Sequence, residues 1–149
     1  RYNEGKTIPG AKEVLEIVKR KGLTPVLVTG SGQPSLIDKL NDNFPGIFSA
    51  ETMVTAFDVK NGKPHPEPFL MGLEKAGNLK PNQAILIENA PLGTEAATKA
   101  GIFTIDVNTG PLSDEMLKKS GAQIVLHSMK ELEENLPDLL EIARVVKIE

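Results

Sequence analysis

Two adjacent polar residues, Glu88 and Asn89, follow the apolar run from Ala84 to Ile87. Such a run, bounded by turn residues, is typical of a strand that is buried on both faces of a parallel sheet. The pair would then lie just past the carboxyl end of that strand, where open α/β sheets bind their ligands. Their side-chain oxygens suit a hard metal ion or a phosphate site. The alternative is that Asn89 only caps the helix that follows.

A second polar loop contains Thr29, Gly30 and Ser31 and follows the apolar stretch from Pro25 to Val28. Two hydroxyls, beside a glycine that lets backbone amides approach a ligand closely, make a suitable phosphate cradle. An ordinary turn between a strand and a helix uses similar residues. Taken alone, this loop leaves both interpretations open.

A third loop carries Lys63, which lies between the turn-forming pair Asn61-Gly62 and prolines at positions 64, 66 and 68. The prolines stiffen the backbone and reduce the entropy that is lost when one ammonium group is aimed at a ligand. A hydroxyl, an ammonium and a pair of metal-type ligands together suit a phosphoryl group. Its charge spreads over its oxygens in the transition state, so fixed donors and a cation can stabilise it.

Helices and short apolar strands alternate along the chain. This alternation predicts a doubly wound α/β domain, a three-layer fold in which helices cover both faces of a parallel sheet. The three polar loops would all follow strands at their carboxyl ends. The predicted helices cover residues 11–21, 35–40, 67–76, 93–100, 113–120 and a segment after residue 128. We expect Gly101 to end the fourth of these helices and Ser113 to begin the fifth, and Ser128 with Glu131 has the spacing of a capping box for the last. The predicted strands cover residues 25–28, 84–87, 102–107 and 124–126, and residues 47–59 contain strand-like patches without fixed boundaries.

The composition excludes several classes of function. The 149-residue chain has a formal net charge of −3, and its length is that of one ordinary domain. Acidic and basic residues are interspersed, so no nucleic-acid surface is indicated, and the apolar runs are too short to span a membrane. The chain has no cysteine, which rules out disulfides and thiolate chemistry and fits a cytoplasmic location.

Three segments carry a resemblance to a known family: Val26-Leu27-Val28-Thr29-Gly30-Ser31, then Gly62-Lys63-Pro64-x-Pro66, then Ile85-Leu86-Ile87-Glu88-Asn89-x-x-x-Gly93. In order and spacing they resemble the second, third and fourth motifs of the haloacid dehalogenase-like hydrolases. The closest similarity is to the branch that contains β-phosphoglucomutase and small phosphatases. The similarity extends from about residue 8 to about residue 136.

The resemblance implies a role for each loop. Thr29 and Lys63 would contact the transferring phosphoryl group, and Glu88 and Asn89 would help to hold Mg²⁺. It also implies a small phosphorylated substrate as the partner.

Two departures from the family pattern affect these expectations. The family usually has an aspartate where this chain has Asn89, and an amide oxygen binds Mg²⁺ without the negative charge. The family nucleophile is the first aspartate of an Asp-x-Asp pair at the end of the first strand, and no Asp-x-Asp occurs in these 149 residues. Asp58, Asp106 and Asp114 lie in the wrong sequence context for it.

The missing motif implies that residues 1–149 form the C-terminal part of a core domain. The nucleophile strand and a helical cap would lie upstream, as a missing N-terminal segment of the same protein, and the chain alone would be inactive. In the family that strand lies between the strands that carry motifs two and four. We therefore expect residues 25–28 and 84–87 not to pair with each other, and a retained or swapped strand to satisfy their backbone groups.

The leading hypothesis is a Mg²⁺-dependent phosphohydrolase or phosphomutase that acts on a small phosphate ester, such as a sugar phosphate, through an aspartyl-phosphate intermediate. The alternative is a non-catalytic module that binds phosphate or a partner and lacks the nucleophile. A receiver-type signalling domain is a weaker third hypothesis, because it too needs acidic residues near its first strand.

Overall fold

The computed structural model describes residues 11–30, 38, 41–42 and 44–148, with only the backbone described for residues 141–148. In chain order the elements are α1 (Ala11–Arg20), β1 (Leu27–Val28), β2 (Met53–Val54), α2 (Glu67–Lys75), β3 (Ile85–Glu88), α3 (Pro91–Ala100), β4 (Phe103–Val107), α4 (Asp114–Ser120), β5 (Ile124–Leu126) and α5 (Met129–Ile148), with single turns of 3₁₀ helix at Ala50–Thr52 and Pro81–Gln83. Most of the helix predicted for residues 35–40 lies outside the described residues, although Asp38 is helical.

The helix ends follow from local residue chemistry, and the prediction of helices at α1 to α5 is confirmed to within a few residues. Gly101 ends α3 with a left-handed backbone, φ 80°, a conformation that only glycine adopts without strain. The hydroxyl of Ser113 accepts a hydrogen bond from the Met116 amide at the start of α4. The Ser128 hydroxyl likewise accepts from the Glu131 amide at 3.0 Å, as the capping pattern predicts.

The strands form two parallel sheets. In the first, β1 pairs with β2, and Leu27 lies beside Met53. In the second, the order is β3-β4-β5, and Glu88 lies beside Asp106. Over the described residues no ladder joins β1 to β3, so these two strands do not pair directly, as expected from the sequence.

Helices cover both faces of the second sheet, which confirms the three-layer α/β fold with an incomplete sheet. On one face, residues of α1 and α5 pack against Phe103, Ile105 and Val107 of β4. On the other face, residues of α2 and α3 pack against Leu86 and Ile102. Among the described residues, no helix combines the length and the apolar character needed to cross a membrane.

Helix α2 joins the two sheets. Its residues Phe69 and Leu73 belong to the buried cluster that contains Leu86 of β3. Its Gly72 faces the first sheet, where an added Cβ would lie 3.2 Å from Val28. Because glycine allows this close approach, one helix packs against strands of both sheets.

The prediction that the apolar run at β3 is buried on both faces is wrong, and β1 is not a fully buried strand either. Leu27 and Val28 are only half-buried, and Ile87 is 38% exposed, whereas all five residues of β4 are buried. The physical reason is the number of neighbours: β4 lies between two strands, while β1 and β3 each have one paired strand in the described part of the chain.

A polar cluster fastens α4 to the end of β5. His127 Nε2 lies 2.8 Å from Asp114 Oδ2, Asn108 donates to Asp114 Oδ1 at 2.9 Å, and the His127 amide donates to Glu131 at 2.7 Å. The hydrogen bond with Asp114 raises the pKa of His127. The hydrogen bonds from Asn108 and His127 lower the pKa of Asp114.

This cluster predicts a pH-dependent contribution to stability. A raised histidine pKa stabilises the fold fully below the unfolded value of about 6.5, and the contribution is lost as the pH rises through the folded pKa. The lowered pKa of Asp114 keeps its charge in place above about pH 4. We therefore expect His127→Asn to lower the melting temperature at pH 5.5 and to have a smaller effect at pH 8.5.

Thermal unfolding of both proteins at the two pH values measures this difference. Asp114→Asn serves as the partner variant, because it should remove the same pH dependence. An equal difference in melting temperature at both pH values would show that the ion pair contributes nothing.

Candidate functional site

The loop that follows β2 meets the end of β3 through one ion pair. Lys63 Nζ lies 3.3 Å from Glu88 Oε1, and the two side chains are 23% and 11% exposed. The contact joins residues that are 25 positions apart in the chain. Two of the residues selected from the sequence are therefore in direct contact.

The surroundings of Lys63 restrict its ammonium group. It lies 5.1 Å from the centre of the Phe69 ring on α2, within the range of a cation–π interaction. The preceding loop is closed by Glu67, whose carboxylate accepts hydrogen bonds from the amides of Lys60 and Asn61 at 3.0 and 2.9 Å. These two hydrogen bonds lower the pKa of Glu67, and the bond from the Lys60 amide has the larger effect.

Glu88 is the last residue of β3. It therefore lies within the strand, whereas the sequence suggested a position just past the strand. Its carboxylate packs against the first turn of α3 at Gly93, where a Cβ atom would overlap the carboxylate. Gly93 therefore provides the space that the Glu88 side chain occupies.

Asn89 is exposed, and it does not cap α3. The N-cap of that helix is Ala90, and no side chain forms a capping hydrogen bond there. The interpretation of Asn89 as a helix cap is therefore wrong. Its amide lies next to Glu88 in the chain, at the same end of β3.

Thr29 and Gly30 directly follow β1, and the Thr29 amide donates to Val54 O at 2.9 Å, extending the pairing with β2. At Gly30, an added Cβ would meet no described atom within 4 Å, so protein packing in the described part of the chain does not require glycine there. Ser31, the third residue of this loop, lies outside the described residues.

The described positions among these lie at the carboxyl ends of parallel strands. Lys63 comes from the loop after β2 and reaches the carboxyl end of β3. Thr29 follows β1, which runs parallel to β2 in register. This is the edge at which open α/β sheets bind ligands.

A family model described as haloacid dehalogenase-like hydrolase matches residues 2–107. The chain belongs to this hydrolase family. A solved structure from Bacteroides vulgatus, provisionally named a β-phosphoglucomutase, is 59% identical with a TM-score of 0.84, over 91% of this chain and 54% of that one. A β-phosphoglucomutase structure from Clostridium difficile is 30% identical with a TM-score of 0.74, over 95% of this chain and 58% of that one.

Curated relatives in the hydrolase family agree with this similarity. Hexitol phosphatase A of Escherichia coli is 32% identical over 84% of this chain and 55% of its own length. A phosphatase of phosphorylated carbohydrates from Thermotoga maritima is 36% identical over 76% of this chain and 52% of its own length. The chain thus spans about half the length of the curated relatives that it matches.

The donor atoms at the end of β3 fit a hard divalent cation of the kind that the hydrolase family uses. Glu88 offers a carboxylate and Asn89 an amide oxygen, and Mg²⁺ is commonly held by one or two such protein groups, with waters and substrate phosphate completing its shell. No cluster of three or more histidine, cysteine or acidic side chains is placed to hold a metal within the described ranges. Among the described residues, Glu88 and Asn89 could thus supply only part of such a shell.

One acidic residue beside this site was not identified as functional from the sequence. Asp106 is fully buried on β4, in register with Glu88. Burial, together with the negative charge of Glu88, raises its pKa to about 6 against the opposing hydrogen bond from Thr94. The signal in the sequence is a carboxylate within a strand whose other residues, apart from Thr104, are apolar.

The packing of Gly93 predicts an effect on the site with little effect on the fold. Gly93→Ala should displace the Glu88 carboxylate and break the contact with Lys63, because an added methyl group occupies the same space. An alanine within a helix gains about 0.5–1 kcal/mol over glycine, and a partly exposed ion pair contributes a similar amount. We expect the free energy of unfolding to change by less than about 1 kcal/mol.

A crystal structure of the variant and its denaturant unfolding curve measure the two effects. Gly110→Ala is the control, since an added Cβ there meets no atom of the described residues within 4 Å. Retention of the 3.3 Å contact between Lys63 and Glu88 in the Gly93 variant would contradict this reading of the packing.

Proposed function

We propose that this chain is the part of a Mg²⁺-dependent phosphohydrolase or phosphomutase that holds the transferring phosphoryl group of a small phosphate ester. The observation that carries the proposal is the contact of Lys63 with Glu88 at 3.3 Å, at the ligand-binding edge of a parallel sheet. An ammonium group beside a carboxylate supports such a site, since phosphoryl transfer uses a cation and metal-binding oxygens close together.

Lys63 would bind the phosphoryl oxygens. Glu88 and Phe69 hold its ammonium near one position before substrate arrives, so little rearrangement accompanies binding. Thr29, Gly30 and Ser31 would contribute a hydroxyl and backbone amides from the end of β1. These groups are fixed donors that stabilise the charge that spreads over the oxygens in the transition state.

Glu88 and Asn89 would hold Mg²⁺ at the end of β3. When bound, the ion would offset the negative charge of the phosphoryl group. With one carboxylate and one neutral amide, this chain supplies less charge to the ion than two carboxylates would. We infer weaker Mg²⁺ binding than at a site that has aspartate at position 89.

We propose that the nucleophile is an aspartate that lies outside these 149 residues, on a strand between β1 and β3. Two observations support this: β1 and β3 each lack a partner on one side in the described part of the chain, and the chain spans about half the length of its relatives. The aspartate would attack phosphorus and release the alcohol of the ester, and water would then hydrolyse the aspartyl phosphate.

A sugar phosphate or sugar-alcohol phosphate is the substrate class that we propose. The support comes from the relatives, whose names refer to hexitol phosphate, phosphorylated carbohydrates and phosphoglucose. The reaction is hydrolysis when water accepts the phosphoryl group, and it is a phosphomutase reaction when a sugar hydroxyl accepts it.

One observation favours a second candidate function, a module that binds phosphate without catalysis. No Asp-x-Asp occurs in the sequence, and Asn89 replaces the charged ligand expected there. Such a module would bind a phosphate ester and leave it intact.

The role of Lys63 is tested in the protein expressed from its complete gene. Lys63→Ala should lower kcat/KM for a sugar phosphate by roughly a hundredfold or more, because a preorganised charge contact to the transition state is lost. Lys99→Ala is the matched control: it removes an exposed lysine whose partner is Glu95 at 2.9 Å, so we expect no change.

Steady-state phosphate release in the presence of Mg²⁺ is the measurement. The 149-residue chain alone provides the background rate, since it carries no candidate nucleophile. A Lys63 variant with a rate close to that of the Lys99 variant would mean that Lys63 does not contact the phosphoryl group.

A further inference from the structure

Asp106 is a buried acid to which the proposed reaction gives no role. Its exposed fraction is 0%. Thr104, on the same side of β4, and Thr94, on α3, are also fully buried. The opposite face of β4 is apolar and packs against α1 and α5. A polar group at this depth is costly unless it is hydrogen-bonded, so its bonds indicate what it does.

The carboxyl group of Asp106 has one partner, the hydroxyl of Thr94. Asp106 Oδ2 lies 2.6 Å from Thr94 Oγ1, and the same hydroxyl lies 3.0 Å from the carbonyl oxygen of Ala90. The Thr94 hydroxyl donates to Asp106 in the shorter of these two contacts. The Ala90 carbonyl can only accept, and it also accepts from the Thr94 amide at 3.0 Å.

The second oxygen of Asp106, Oδ1, is buried and has no hydrogen-bond partner among the described residues. A buried polar atom without a partner is costly, so the position of the Asp106 side chain depends on its bond with Thr94. On the neighbouring strands, Asp106 lies beside the acidic Glu88 of β3 and the apolar Val125 of β5. The ion pair of α3, Glu95 with Lys99, is exposed.

The series of contacts from Asp106 through Thr94 to Ala90 ends at the candidate site. Ala90 is the N-cap of α3 and directly follows Asn89. Thr94 follows Gly93, the residue against which the Glu88 carboxylate packs. A small shift of this first turn relative to β4 would therefore move Gly93 against Glu88.

We propose that Asp106 is a positioning residue: it anchors the first turn of α3 to β4 through Thr94 and thereby fixes the Glu88 carboxylate. The anchor itself follows from the contacts of Asp106, Thr94 and Ala90. Its consequence for metal binding rests on the proposed function of Glu88 and Asn89. Removal of a residue that orients a metal ligand without touching the metal typically weakens metal binding by about 10- to 100-fold.

The test compares two substitutions of similar size in the protein expressed from its complete gene. Asp106→Asn keeps an oxygen that can accept the hydrogen bond from Thr94, and Asp106→Leu removes it. Thr104→Val is the matched control, because Thr104 is also buried on β4 but bonds to Ile102. We expect Asp106→Leu to weaken Mg²⁺ binding roughly tenfold or more, and the Asn and Thr104 variants to stay within about twofold of the unmodified protein.

Two readouts keep the outcomes separate. Mg²⁺ binding is followed by the amide NMR signals of residues 88–90, and the anchor is followed by hydrogen exchange at the Thr94 amide, which donates to Ala90 O at 3.0 Å. We expect exchange to be at least tenfold faster in the Leu variant and unchanged in the Asn variant. If Asp106→Leu does not fold, Thr94→Val tests the same link.

Equal Mg²⁺ affinity and equal exchange in the Leu variant and the unmodified protein would overturn the proposal. So would an Asn variant as impaired as the Leu variant, because the charge of Asp106 would then matter and not its hydrogen bond with Thr94. If the unmodified protein binds no Mg²⁺, the proposed function of Glu88 and Asn89 fails, and the hydrogen exchange of Thr94 still decides whether the anchor exists.

Discussion

The ion pair between Lys63 and Glu88 connects two sheets that no strand ladder joins in the described part of the chain. Helix α2 also joins the sheets, through apolar packing and through hydrogen bonds from Lys75 to the Ala50 and Met53 carbonyls. The ion pair adds a directional contact at the carboxyl end of β3. Because Glu88 fits against Gly93, and the first turn of α3 is linked to β4 through Thr94 and Asp106, the position of one carboxylate depends on several elements. The relative position of Lys63 and Glu88 in the candidate site follows from these contacts.

The number of paired strands explains why β1 and β3 are less buried than β4. A strand in the middle of a doubly wound sheet has partners on both sides and helices on both faces, as β4 has, and all of its residues are buried. Ile87 on β3 is 38% exposed, although the apolar run that contains it is typical of a central strand. The amino-acid pattern thus indicates a more enclosed environment than the described residues provide. The nucleophile strand that we propose between β1 and β3 would account for the difference.

Features governed by neighbouring residues could be predicted from the sequence. The caps at Ser113 and Ser128 and the glycine end of α3 depend on contacts within about four residues, and the structure confirms them. The rule that parallel strands gather their carboxyl ends also placed Lys63 and Glu88 together. The burial of β3 could not be predicted correctly, because it depends on which strand lies beside it. The role of Asp106 was also missed, since its meaning depends on Thr94 across a helix–sheet contact.

The location of the phosphorylated residue tests the central claim most directly. The protein expressed from its complete gene would be mixed with a sugar phosphate and Mg²⁺, quenched in acid during turnover and treated with borohydride, which converts an aspartyl phosphate to homoserine. Mass spectrometry of its peptides then locates the modified residue. The account predicts a single modified aspartate outside residues 1–149. A phosphorylated residue within the 149, or turnover without any phosphorylated residue, would contradict it.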